Sequence, residues 1–120
     1  MTSMSPMTRA GDLLFISGQV AFDESGAVVG VGDSRAQVEQ VLANLGRLLA
    51  EEGADFSHLV QLTAYFTDAA VYQDYAEAKS RIFRDLVPPS ATAVVVRALL
   101  HPDLLVEVSA VAHIKSRLPS

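Results

Sequence analysis

Glu107 stands out by its surroundings. It falls within Leu104 to Ile114, a run otherwise built from Leu, Val, Ala and Ile with one Ser and one His. A strand period of two puts Leu104, Val106, Val108, Ala110, Ala112 and Ile114 on one face, and Leu105, Glu107, Ser109, Val111 and His113 on the other. Desolvation in such a strand raises a carboxyl pKa toward the range where the group moves protons or holds a water, so Glu107 is the leading candidate for acid–base chemistry. The competing reading is an ion pair that ties strands or subunits together, with Arg97 on the neighbouring strand as its partner.

Other chemistries find little support. His58, His101 and His113 lack the spacing of a helical zinc site, and the chain has no cysteine, so no metal is expected. Ser17-Gly18 lacks the flanking glycines of a nucleophile elbow. Gly26, Gly30 and Gly32 lie in a loop without lysine or phosphate fingerprint and read as turn glycines, so no nucleotide cofactor is expected.

The charge balance narrows the partners. Nine Lys and Arg against fourteen Asp and Glu give a net charge of −5, with the basic residues scattered, so nucleic acid is not expected as a partner. Met1 to Ala10 lacks the apolar stretch of a signal peptide and no run approaches a bilayer span, so a cytoplasmic protein without a membrane partner is expected. At 120 residues, half of them hydrophobic, the chain reads as one domain spanning 1–120, able to bury a core without disulfides.

The elements that must position Glu107 are legible in the periodicity. Met7 to Ala10 and Leu13 to Phe22 read as a hairpin turned at Gly11-Asp12. Val38, Val41, Leu42, Leu45, Leu48 and Leu49 share a helical face; Ser34 with Gln37 reads as a capping box and Gly53 as the stop. Gly46 inside this helix implies close packing. Leu59 to Thr67 alternates, with Val60, Leu62, Ala64 and Phe66 on the apolar side. A second helix puts Tyr72, Tyr75, Ala76, Ile82, Phe83 and Leu86 on one face and stops at Pro88-Pro89, before strands Ala91 to Leu99 and Leu104 to Ile114. The order is ββαβαββ, an α+β domain in which two helices cover one face of a sheet. The other face mixes apolar and polar groups, as suits a subunit interface, and predicts a homo-oligomer.

Three stretches together resemble the reactive intermediate deaminase (Rid, formerly YjgF) family. Arg9-Ala10-Gly11-Asp12-Leu13-Leu14-Phe15-Ile16-Ser17-Gly18-Gln19 is similar to its opening, and Leu100-His101-Pro102-Asp103-Leu104-Leu105-Val106-Glu107-Val108 to its closing motif. Asn44-Leu45 followed by Val60 to Asp68 fits the middle, so the likeness covers nearly the whole chain. The resemblance implies a chorismate-mutase-like fold and a homotrimer whose sheets enclose a barrel, with small-molecule clefts between subunits. It also implies hydrolysis of imines or enamines without a cofactor. It assigns Gly18 and Glu107 to the reacting centre, and Phe15, Ser17, Ala91, Thr92 and Val94 to the substrate.

The same resemblance marks a departure. Deaminating members carry an arginine just after the proline-rich helix stop, where guanidinium grips the substrate carboxylate bidentately. Here the stretch is Pro88-Pro89-Ser90-Ala91-Thr92, with Ala91, or Thr92 under another gap, in the arginine's place. The family's upstream tyrosine corresponds to Met4, and the second helix has no Asn. Arg97 lies too far along the strand to substitute within one chain. Two functions follow: a hydrolase or deaminase of an imine, enamine or related intermediate, and a non-catalytic small-ligand-binding or regulatory trimer. Ribonuclease activity, an older label of the family, is disfavoured by the acidic balance.

Overall fold

The computed structural model describes residues 5–115. Strands β1 (Met7–Ala10), β2 (Leu13–Gln19), β3 (Leu59–Phe66), β4 (Ser90–Val95) and β5 (Val106–His113) form one sheet in the order β1-β2-β5-β3-β4. All neighbours are antiparallel except β3 and β4, which run parallel and are joined through helix α2 (Ala69–Ile82). Helix α1 (Ser34–Glu51) lies between β2 and β3 in the chain and packs with α2 on the same sheet face. The α+β reading therefore holds, and so does the element order.

The core sits between helices and sheet. Val38, Val41, Leu45 and Leu49 of α1 are buried against Leu14, Ile16, Leu62, Phe66, Val106, Val108 and Ala112. The predicted inward face of the last strand is correct, from Leu104 to Ile114. A Cβ at Gly46 would meet the Phe56 ring at 3.2 Å, which is the close packing its place in the helix implied.

Several boundaries and phases differ from expectation. The N-cap of α1 is Asp33, whose carboxylate accepts from Ala36 N at 3.1 Å; Ser34 donates instead to Asp74 on α2. Gln37 is wholly buried: its amide donates to the carbonyls of Gly30 (3.1 Å) and Asp103 (2.8 Å) and accepts from Leu105 N (2.8 Å). One side chain thereby fixes both the loop before α1 and the turn before β5. Asn44 does the same for the chain after β2, donating to the carbonyls of Val20 and Phe22 at 3.0 Å.

The register of β3 against β5 shifts between Leu59 and Gln61, so Leu59 turns inward and Val60 is exposed. On α2 the inward residues are Val71, Tyr75 and Ala78, while Tyr72 stays half-exposed with its ring edge against Phe66. That helix ends at Ile82 rather than running to the prolines. Strand β2 ends at Gln19 after its own register shift, and β4 stops at Val95 because its partner β3 ends at Phe66. Strand β5 starts at Val106, two residues later than expected, because Gln37 takes the Leu105 N–H.

Val108 is fully buried beneath α1. Val108→Ala is expected to lower unfolding stability by about 1–3 kcal/mol, measured by denaturant titration. A loss near zero would place β5 in the wrong phase.

Candidate functional site

Glu107 lies on the sheet face that no helix covers, opposite Tyr65 of β3 in the register. It is half-buried, and desolvation alone pushes its carboxyl above the ordinary value of 4.5. Among the described residues no cation lies within ion-pair distance of it. Within one chain the pairing with Arg97 is not formed: Arg97 lies beyond the end of β4, and β4 pairs with β3 rather than with β5.

Its close neighbour is Gly18. A Cβ built there would lie 2.7 Å from the Glu107 carboxyl carbon and 2.9 Å from its Cγ, separations that real side chains do not tolerate. The backbone of β2 thus approaches the carboxylate as only glycine permits, where the ladder between β2 and β5 is interrupted. Gly18 and Glu107 are brought together, as the resemblance implied.

The other candidates divide between the two faces of the sheet. Phe15 and Ser17 line a shallow hollow of about 200 Å³ on the open face with Thr63 and Ser109. Strand alternation places Thr92 and Val94 of β4 on that same face, in register with Thr63 and Tyr65. Ala91 pairs with Leu62 and turns toward the helices. Its surroundings form a cavity of about 480 Å³ between α2 and β4, walled by Tyr72, Tyr75, Lys79 and Phe83 on one side and Ala91 to Ala93 on the other. A third cavity of about 410 Å³ runs from Gly18 to Asn44 and Arg47 of α1. Met4 lies outside the described residues.

One chain therefore holds two separate features. Glu107 and Gly18 sit on the open face, and the α2–β4 cavity sits on the opposite side, two strands away. Lys79, Tyr75 and Arg47 were missed in the sequence because their helices were read for apolar periodicity. The signal for Lys79 was present: Tyr72, Tyr75, Ala76, Lys79 and Phe83 recur at spacings of three and four. Two of the three histidines have local roles, His58 accepting from Asp55 N at 3.1 Å and His101 from Asp103 N at 3.0 Å.

The fold and the Gly18–Glu107 approach define a class, and comparison with known proteins agrees. Residues 1–114 match the profile of the family described as Endoribonuclease L-PSP. Protein DfrA of Myxococcus xanthus is 36% identical over 110 residues, covering 92% of this chain and 82% of that protein. The 3-aminoacrylate deaminase RutC of Acinetobacter baylyi is 30% identical over 109 residues, covering 91% of this chain and 85% of that one. The crystal structure of YyfB from Yersinia pestis, a Rid-family protein of unknown function, matches with a TM-score of 0.81 at 34% identity, covering 87% of this chain and 80% of that one. The chain belongs to the Rid/YjgF family.

Two outcomes are expected from this geometry. Gly18→Ala is expected to push the Glu107 carboxyl, the free end of a flexible side chain, toward solvent at a cost of no more than about 1 kcal/mol. Combining it with Glu107→Ala should cost less than the sum of the two single changes, as a double-mutant cycle would show; strict additivity would place the two residues apart. The second concerns pH. Below about 4.5 Glu107 is protonated folded and unfolded; above its raised folded value only the buried charge remains, opposing folding. Glu107→Gln removes that cost, so its melting temperature relative to wild type should rise as pH passes upward through this range, and then level off.

Proposed function

We propose that this protein is a cytoplasmic homotrimer that hydrolyses an imine or enamine in a cleft between subunits, using Glu107 and the Gly18 backbone of one chain. The observation that carries this reading is a desolvated carboxyl held against glycine backbone on a sheet face left open by both helices. Membership in a family that includes a named 3-aminoacrylate deaminase supports the reaction class. The net charge of −5 favours a small-molecule substrate over RNA. The absence of cysteine from the chain accords with a reducing compartment. Among the described residues no helix is long and apolar enough to cross a membrane.

Assembly is supported by what a lone chain leaves uncovered. Leu13 and Phe15 are 36% and 44% exposed on the open face, and every residue of the edge strand β4 is exposed. An apolar open face beside an unpaired edge strand is stabilised by a second copy that covers both. The substrate-binding residues Phe15, Ser17, Thr92 and Val94 belong to this covered region.

In the reaction, Glu107 takes a proton from a water held at the Gly18 backbone as the water oxygen bonds to the imine carbon. Glu107 passes that proton to the imine nitrogen, giving a carbinolamine. The C–N bond then breaks as the hydroxyl proton moves through the same carboxylate to the departing nitrogen, and the products are a carbonyl compound and ammonia. Desolvation suits Glu107 to this exchange, because it raises the carboxyl above its ordinary value and makes the carboxylate a stronger base than an exposed one. Ala91 supplies no guanidinium fork, so three-carbon substrates such as 2-aminoacrylate and 2-iminopropionate are poorly oriented.

Light scattering is expected to give three times the 12.8 kDa chain mass, and a monomer at micromolar concentration would remove the cleft. Ammonia release from 2-iminopropionate should be about 10² to 10³ below that of an arginine-bearing relative, and Glu107→Gln should abolish what remains while the trimer persists. Full turnover by Glu107→Gln would remove the carboxylate from the reaction, and no ammonia release by the wild type from any imine offered would leave the binding or regulatory reading in its place.

A further inference from the structure

We infer that the cavity between α2 and β4 is a binding site for an organic anion with an apolar body, its negative group held by the Lys79 ammonium. The inference deepens the proposed function by naming the charge and size of the ligand, and it rests on that reading for the reaction only, since binding requires one chain.

Four observations converge on it. First, the cavity measures about 480 Å³, within the usual size range of small-molecule sites and far larger than a three-carbon acid needs. Second, Lys79 is half-buried at its wall, and among the described residues no carboxylate lies within ion-pair distance of it. By contrast Arg35 and Arg81, on the outer surface of the same two helices, pair with Glu77 and Glu39. The lysine at the cavity wall thus has no acidic partner among the described residues.

Third, hydroxyls accompany the ammonium. Tyr75 is buried yet lines the cavity, and burial together with neighbouring Tyr72 pushes its phenol up to about 12, so it stays a neutral donor. Ser80 also borders the space. Fourth, the remaining walls are apolar: Phe83, Pro88 and the methyl groups of Ala76, Ala91 and Ala93. One end offers a cation with hydroxyl donors and the rest offers hydrocarbon, the pattern of a site for a carboxylate carried on an aromatic or branched body. Lysine is a point charge without the planar fork of arginine, so it holds such a group without fixing its plane. The fit of the body against Phe83 and Pro88 then supplies the orientation.

Calorimetric titration of the intact protein with phenylacetate, against its uncharged analogue 2-phenylethanol, tests this. Saturable binding of phenylacetate is expected, at least about tenfold tighter than 2-phenylethanol. Lys79→Met should weaken phenylacetate by about tenfold or more with an unchanged melting temperature, Lys79→Arg should restore most of it, and Arg97→Gln should change nothing. A smaller preference for the anion, no saturation by about 20 mM, or Lys79→Met binding as wild type does would each overturn the inference. Phenylacetate binding without imine turnover would instead overturn the reaction alone.

Discussion

Two helices can bury only one face of a five-stranded sheet, and nearly everything about this protein turns on what becomes of the other. The buried face is ordinary: aliphatic side chains of β2, β3 and β5 meet those of α1 and α2 in one core. The open face carries Phe15, Ser17, Thr63, Tyr65, Glu107 and Ser109, a mixture that solvent tolerates but that a second subunit uses better. A carboxylate can be kept on that face partly desolvated because β2 runs glycine past it, and a single methyl at Gly18 would drive it out.

The same constraint divides the candidate site. Alternation along β4 sends Thr92 and Val94 to the open face and Ala91 toward the helices. Glu107 and the cavity beside Lys79 therefore belong to opposite sides of one sheet, and within one chain they do not form a single cleft. Beside Ala91 the space is open and a lysine borders it. Arginine orients a small carboxylate by its fork, whereas lysine in a wide cavity selects by charge and lets the apolar wall orient the rest.

Much of this was legible in the sequence where periodicity was strong. Val106 and Val108 inward, Glu107 outward, α1 ending at Gly53 and the order of elements all follow from periods of two and 3.6. What was not legible depended on tertiary partners. Val60 was assigned inward because a β-bulge between Leu59 and Gln61 leaves no mark in a run of apolar residues. Gln37 was taken for a cap because its three hydrogen bonds reach carbonyl and amide groups up to 68 residues away. Tyr72 was assigned to the core because a half-exposed ring packed edge-on looks, in sequence, like a buried one. The resemblance recovered Gly18, whose need for a missing Cβ is visible only once β5 lies beside it.

In the proposed trimer the Glu107 carboxylate and the α2–β4 cavity meet only across a subunit boundary. Mixing two variants tests it: Glu107→Gln disables one half, and Ala91→Trp fills the other. Each alone should release no ammonia from the imine that an amino-acid oxidase forms from phenylalanine. Unfolded together and refolded into mixed trimers, they should regain activity, because about a quarter of the clefts in a random ring then combine two intact halves. Mixed trimers, verified by native mass spectrometry, that stay as inactive as their parents would contradict the account.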